Sequence, residues 1–352
     1  MAEHFETFLR SVMSGERRGA QASSLRLALS IAEPFYRVIT ASRNKLFDLN
    51  LRKPRKLPVP VISVGNLTTG GTGKTPLVAW IVQALHRVGH SPAVLMRGYK
   101  KPGGIASDEE QLYLSRFAGY QPPVQIVASP SRFPAACQAL DASSPPNVFV
   151  LDDGFQHRQL ARDLDLVVID ATHPFGYRHV LPRGMLRESV TGLSRAGAIV
   201  ITRSDQVLPE QLASLTTEAR RLNPSAPVFN CWNELEEVES LKEKRLFAFC
   251  GIGNPESFWL LLNRAGLILA GTQAFNDHQH YSRELLDSLA SKATVAGADI
   301  LVTTEKDWPK IHPVAAAGAM PITSVRMNVK FNPADEAELL AILQQVAIRI
   351  RI

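Results

Sequence analysis

The sequence predicts an α/β fold: a domain with a parallel sheet and helices on both faces, followed by a smaller α/β domain. Three observations carry this. Short apolar runs alternate with segments of helical spacing along most of the 352 residues, the pattern of strands joined by crossover helices. A glycine-rich turn, Gly65 to Gly73, lies between one such run and one such helix. Finally, residues 221–243 shift in composition, with Asn223-Pro224-Ser225-Ala226-Pro227 followed by Glu234, Glu236, Glu237 and Glu239. That shift splits the series in two.

Composition is that of an ordinary globular chain, 45% apolar and 20% charged. The net charge of +6 is uneven: residues 10–56 hold eleven Lys/Arg against three acids, a local +8. The three cysteines (Cys137, Cys231, Cys250) show no C-x-x-C spacing, which argues against a disulfide framework or a zinc site and for a reducing environment. No run of about 18 apolar residues offers a transmembrane helix, and the polar first 24 residues do not read as a secretory signal.

In chain order, residues 1–23 read as a flexible extension with a short helix around Phe5–Val12. Residues 24–57 read as a basic amphipathic segment. Leu25, Leu29, Ala32, Phe35, Tyr36 and Ile39 fall near one helical face, with Arg26, Arg37 and Arg43 on the other. Pro34 is expected to kink or split the helix. Such a helix suits a membrane interface; the alternative is a helix packed on the domain with its arginines in solvent. Nucleic-acid binding is the weaker reading, because no aromatic stacking pattern or helix-turn-helix accompanies the charge.

The first domain is expected over 58–228. A strand, Val59 to Val64, runs into Gly65-Asn66-Leu67-Thr68-Thr69-Gly70-Gly71-Thr72-Gly73-Lys74-Thr75-Pro76, and Leu77, Val78, Trp80, Ile81, Ala84, Leu85 and Val88 continue with helical spacing. Strand, glycine loop and helix opening on Lys-Thr form a P-loop. Backbone N–H groups of 68–73 can cradle phosphate oxygens, Lys74 can reach the β- and γ-phosphates, and the Thr75 hydroxyl can ligate Mg²⁺. Thr68 stands where the pattern asks for the first glycine. Further strands are expected at Ala93–Met96, Gln125–Ala128, Leu164–Asp170 and Ala198–Thr202, with helices from Asp108 and over Pro134–Leu140.

Val148 to Leu151 followed by Asp152-Asp153 has the form of a Walker B strand, its acids at the carboxyl edge where α/β sheets bind ligands. One or both aspartates would hold the magnesium. Thr202-Arg203-Ser204-Asp205 echoes the guanine-reading motif of GTPases, but Arg replaces the expected Lys, and ATP is the preferred nucleotide. After a linker at 229–243, a second domain over 244–352 carries strands at Leu246–Cys250, Ile268–Ala274, Ile300–Thr303 and Ile322–Arg326. Its helices fall at Pro255–Ala265, Ser282–Ala293 and Asp335–Ile350.

A phosphotransferase also needs a group to deprotonate its acceptor. Ser107-Asp108-Glu109 and Phe275-Asn276-Asp277-His278 offer a carboxylate and a histidine; the alternatives are a helix-capping Asp108 and a surface histidine. Together with Met96-Arg97-Gly98-Tyr99, Leu151 to His157, Leu181-Pro182 to Leu186-Arg187-Glu188, and Thr303-Thr304-Glu305-Lys306-Asp307, these motifs resemble the tetraacyldisaccharide 4′-kinase family from about residue 25 onward. The resemblance implies transfer of the ATP γ-phosphoryl to an acylated glucosamine disaccharide 1-phosphate at the cytoplasmic face of the bacterial inner membrane, with the site in a cleft between the two domains. It places the catalytic pair on Asp108 and His278, the phosphate and metal contacts on Lys74, Thr75, Asp152 and Asp153, and an acceptor-side set on Arg97, His157, Arg187, Glu188 and Asp277. ATP and Mg²⁺ are the implied cofactors. No nucleic acid and no obligatory protein partner is called for. The chain departs from the family in its extension, residues 1–23, and in Arg183 and Met185, which flank Gly184 where small residues are more usual. The rival reading is a membrane-associated P-loop switch ATPase, which would need no acceptor hydroxyl.

Overall fold

A computed structural model describes residues 2–98, 106–276, 279–315 and 320–348. In chain order, helices α1 (Ala2–Ser14) and α2 (Ala20–Asp48) lead into strand β1 (Val61–Asn66), helix α3 (Lys74–Arg87), strand β2 (Pro92–Met96), helix α4 (Asp108–Arg116) and strand β3 (Gln125–Ala128). Helix α5 (Arg132–Leu140) follows, then strands β4 (Val148–Asp152), β5 (Leu164–Asp170) and β6 (Ala198–Thr202), helix α6 (Pro209–Leu222), and strands β7 (Val228–Glu236) and β8 (Arg245–Cys250). Helix α7 (Pro255–Arg264), strand β9 (Ile268–Ala274), helix α8 (Arg283–Val295), strand β10 (Ile300–Thr304), helix α9 (Trp308–Ala315), strand β11 (Ile322–Phe331) and helix α10 (Pro333–Ala347) complete the series.

The chain divides into two compact units. The first comprises Met1–Arg97, Val127–Trp232 and Phe331–Ile352. Here β2, β4, β1, β5, β6 and β7 pair in that order, every pairing parallel. Strands β1 and β4 are buried along their whole length, which is why they read as unbroken apolar runs instead of alternating ones. One core cluster joins Ala93, Leu95, Phe149 and Leu151 to Ala136 and Ala139 of α5. A second joins Val167, Ile169, Ile199 and Ile201 to Leu215 and Ala219 of α6.

The second unit comprises Gly98–Ile126 and Asn233–Lys330. Strands β11, β10, β8 and β9 pair in parallel. Strand β8 shows the period of two directly: Leu246, Ala248 and Cys250 pack with Phe258 and Leu262 of α7, whereas Phe247 and Phe249 pack with Leu286 and Leu289 of α8 and Ile311 of α9.

These boundaries differ from the expected ones in three places. The expected linker 229–243 carries strand β7, because Val228, Phe229 and Cys231 are buried beside the acidic residues that disguised the strand. The closing helix α10 belongs to the first unit: Phe331 lies 4.8 Å from the Trp80 ring of α3, and the Asp335 carboxylate accepts the Asn230 N–H at 2.9 Å. Residues 98–126, with α4, group with the second unit instead of the kinase domain.

The amino-terminal segment differs too. The expected flexible extension contains helix α1, longer than the short helix read from sequence. It turns back onto α2 through Gly15 and Gly19, both at positive φ, and the Arg26 guanidinium donates to the carbonyls of Val12 and Arg17. Helix α2 runs unbroken through Pro34. Beside it, the buried Glu33 carboxylate is held by His179, Arg37 and the Val180 N–H. Burial opposes ionisation of Glu33, but those partners outweigh it and lower its pKa. The apolar residues of α2 do not form the single face expected. Tyr36 packs on the core, whereas Leu27, Ile31, Phe35, Val38 and Ile39 stand 62–70% exposed.

Candidate functional site

In the first unit the site is built on β1, the loop 67–73 and the start of α3. Gly65 is required by packing: a Cβ there would lie 2.6 Å from both the Cβ and the backbone N of Phe155. Gly70 (φ 110°) and Gly73 (φ 82°) take left-handed backbone conformations that side chains disfavour. Thr68 replaces the pattern's first glycine without strain because it makes an antiparallel bridge to Leu186. The Thr69 N–H donates to Met185 and the Arg187 N–H to Leu67, both at 2.7 Å. The loop 179–188 is thus stitched to the P-loop by backbone hydrogen bonds. Substituting Gly65→Ala forces β1 or the turn after β4 to move, and costs about 1–3 kcal/mol of stability. Denaturant melts check this, and an unchanged midpoint would contradict the packing argument.

Side chains finish the cradle. Lys74 Nζ donates to Asn66 Oδ1 at 3.1 Å, and Asn66 Nδ2 donates to Thr72 Oγ1 at 3.0 Å. Lys74 also pairs with Asp153 at 3.5 Å. The Asp153 carboxylate receives Arg187 on both oxygens at 2.8 Å. Burial opposes ionisation of Asp153, but Lys74 and then Arg187 outweigh it and hold the carboxyl below its usual range. Asp153 sits at φ 51°, a conformation aspartate tolerates better than most residues. Asp152 ends β4 with a buried side chain. Its carbonyl accepts a long 3.4 Å hydrogen bond from Arg132. Thr75 lies in the first turn of α3.

Two neighbours were not legible as parts of this cradle. The Thr202 hydroxyl donates to the Thr72 carbonyl at 2.9 Å, and Arg203 donates to the Gly71 carbonyl at 2.9 Å while pairing with Asp170. The Thr202-Arg203 pair that echoed a guanine reader therefore braces the P-loop backbone.

The residues of this unit that the resemblance sets on the acceptor side divide. Glu188 is buried and saturated: it accepts from Arg195 on both oxygens, from Asn44 at 2.6 Å and from Gln156 at 3.0 Å. Such a carboxylate organises the side chains around it. His157 is kept neutral, its pKa lowered to about 4 by burial first and then by Arg132, Arg162 and Arg97. Arg97 itself is exposed just beyond β2.

In the second unit, Asp108 is the first residue of α4. Ser107 caps that helix, its hydroxyl accepting the Glu110 N–H while Glu110 reaches back to the Ser107 N–H. The capping role falls to Ser107, so Asp108 is not the cap. Its side chain is 2% exposed and pairs with Lys310 at 2.8 Å. Lys310 was missed at the sequence level, although it lies one turn beyond the Thr303–Asp307 motif. His278 and Asp277 lie outside the described residues. Among the described residues, no helix is long and apolar enough to cross a membrane, and no group of three or more His, Cys, Asp or Glu side chains forms a metal cage.

Comparison with known proteins is consistent in direction. Residues 25–347 match a family model described as tetraacyldisaccharide-1-P 4′-kinase. A tetraacyldisaccharide 4′-kinase of Desulfotalea psychrophila is 37% identical over 312 residues, covering 83% of this chain and 89% of the relative. One from Geobacter sulfurreducens is 34% identical over 363 residues, covering 96% and 98%. The crystal structure of LpxK from Aquifex aeolicus in complex with ATP superposes with a TM-score of 0.69 at 30% identity, covering 92% of this chain and 99% of that one.

Proposed function

The chain belongs to the tetraacyldisaccharide-1-P 4′-kinase family, and from that premise we propose that it transfers the γ-phosphoryl group of ATP to the 4′-hydroxyl of an acylated glucosamine disaccharide 1-phosphate. The observation that carries this reading is the cradle itself: Lys74, held by Asn66 and Asp153, stands at the start of α3 beside a glycine loop. Phosphoryl transfer needs positioning and charge neutralisation more than covalent chemistry. Backbone N–H groups of 69–73 and the Lys74 ammonium would bind the β- and γ-phosphates. Magnesium neutralises charge on those oxygens when it accompanies ATP. A hydroxyl and a carboxylate, completed by phosphate oxygens and water, suit that ion. We assign these donors to Thr75 and to the Asp152–Asp153 pair at the end of β4, of which Asp153 also contacts Lys74 and Arg187.

Asp108 accepts the proton of the acceptor hydroxyl, with His278 as its partner; Arg97, His157, Arg187 and Asp277 serve the acceptor side, and Glu188 supports the loop that carries Arg187. Labelled ATP incubated with tetraacyldisaccharide 1-phosphate should yield a bisphosphorylated lipid. ATP turnover indifferent to that lipid would mark a switch ATPase and sink the proposal.

The membrane surface is the proposed working place. The same amino-terminal stretch that exposes the apolar residues of α2 also exposes cations, Arg37 and Lys45 on α2 and Arg17, Arg18, Arg52, Lys53 and Lys56 beside it in sequence. Apolar insertion and attraction to an anionic leaflet act together in such an arrangement. The double variant Ile31→Ser, Phe35→Ser should bind phosphatidylglycerol-containing vesicles about tenfold more weakly, a loss of about 1.4 kcal/mol. Its fold should be intact, because both side chains are already in water. Equal sedimentation of variant and parent with vesicles would remove the membrane argument.

A further inference from the structure

The Thr303-Thr304-Glu305-Lys306-Asp307 run has so far been a mark of resemblance with no work assigned to it. All of its partners described next lie within the second unit. Strand β10 is buried throughout and delivers the run to the turn before α9. Asp307 is wholly buried. Its Oδ2 accepts the Gly251 N–H at 2.9 Å and the Thr304 hydroxyl at 2.8 Å, so its place is fixed by backbone and strand. Its Oδ1 lies 3.7 Å from Lys310 Nζ. Lys310, one helical turn later, puts the same ammonium 2.8 Å from Asp108 Oδ2. Glu305 meanwhile pairs with Arg116 at 3.0 Å, and Arg116 also donates to the Met327 carbonyl. One short segment therefore grips α4 at both ends, through Asp108 at its start and Arg116 at its finish.

A carboxylate buried as deeply as Asp108 needs a partner to stay ionised. Lys310 supplies such a partner to Asp108. Here one ammonium lies near two carboxylates, Asp108 at 2.8 Å and Asp307 at 3.7 Å. We propose that Lys310 is a positioning residue for the phosphoryl transfer: it fixes the Asp108 carboxylate in one orientation and ionised, and Asp307 in turn fixes Lys310. The proposal rests on the reading of Asp108 as the group that receives the acceptor's proton. Other ionisable groups near the cluster are Tyr281 and Cys250, beside Asp307 and with burial first among the causes that keep them protonated, and Glu109 and Glu110 on α4 itself.

The test is steady-state kinetics of the full chain with ATP and tetraacyldisaccharide 1-phosphate across pH. Lys310→Gln keeps a polar side chain, one bond shorter, but removes its charge. It should lower kcat about 10- to 100-fold, leave both KM values within about twofold, and move the acid limb of the kcat profile up by roughly one pH unit. Lys310→Arg should recover most of kcat and return the limb. Asp307→Asn gives the opposite sign: with its competitor neutralised, Lys310 acts on Asp108 alone, and the acid limb moves down. This second variant keeps the proposal testable should Lys310→Gln fold poorly. Parental kcat and pH profile in Lys310→Gln, with Asp108→Asn inactive, would overturn the proposal and leave the function intact. A raised KM with unchanged kcat would make Lys310 a ligand contact and overturn it as well. An active Asp108→Asn would overturn the reading beneath both.

Discussion

Asp108→Asn lowers kcat by about 10²- to 10⁴-fold while KM for ATP stays within about threefold. That is the range for loss of a positioned base, and a group that acts only on the acceptor leaves nucleotide binding alone. The variant is nearly isosteric. The Ser107–Glu110 capping box does not involve the Asp108 side chain, so α4 should still start where it does. Lys310 retains Asp307 at 3.7 Å as a counter-charge, which limits the cost of leaving the ammonium half-paired. Turnover is to be measured by lipid phosphorylation, and thermal melting is to be recorded beside it. A variant that melts like the parent and turns over at the parent's rate would remove Asp108 from the chemistry.

Lys74→Ala should be as damaging but with a different signature. In the proposed reading its ammonium neutralises phosphate charge, and it also ties Asn66 to Asp153, so both binding and turnover should suffer. A loss of about 10³-fold in kcat/KM is expected, with a measurable part in KM for ATP, because the charge acts on the bound nucleotide and on the transition state alike. Asp153 should stay ionised through Arg187, which contacts both its oxygens. A fluorescent nucleotide titration separates the two parts. Unaltered ATP binding together with unaltered turnover would exclude Lys74 from the cradle.

What was legible from the residues follows from distance along the chain. Lys74, Thr75 and the glycines lie in one contiguous stretch whose spacing encodes its geometry, and fully buried parallel strands such as β1 and β4 announce themselves as apolar runs. Arg203 reaches Gly71 across 132 positions, and nothing local to either residue marks that partnership. Lys310 and Asp108 are separated in the same way. Strand β7 was hidden because its buried positions, Phe229 and Cys231, are few and its acids many. On α2, spacing showed that apolar residues cluster but not that two surfaces, core and solvent, divide them. Burial of Glu33 against His179 and Val180 gives that division, with Glu33, Thr40 and Phe47 turned inward.

That inner surface has a practical consequence. Tyr36 donates its hydroxyl to the Arg187 carbonyl, Asn44 holds Glu188, and Glu33 holds the Val180 N–H, all on the loop that hydrogen-bonds to Thr69 and Leu67. The greasy amino-terminal helix is therefore no detachable anchor. Trimming it to obtain a better-behaved sample would unseat the wall of the nucleotide pocket, and the loss of activity that followed could be mistaken for a need for lipid. Polar substitutions confined to its outward positions are the way to ease purification while leaving that wall standing.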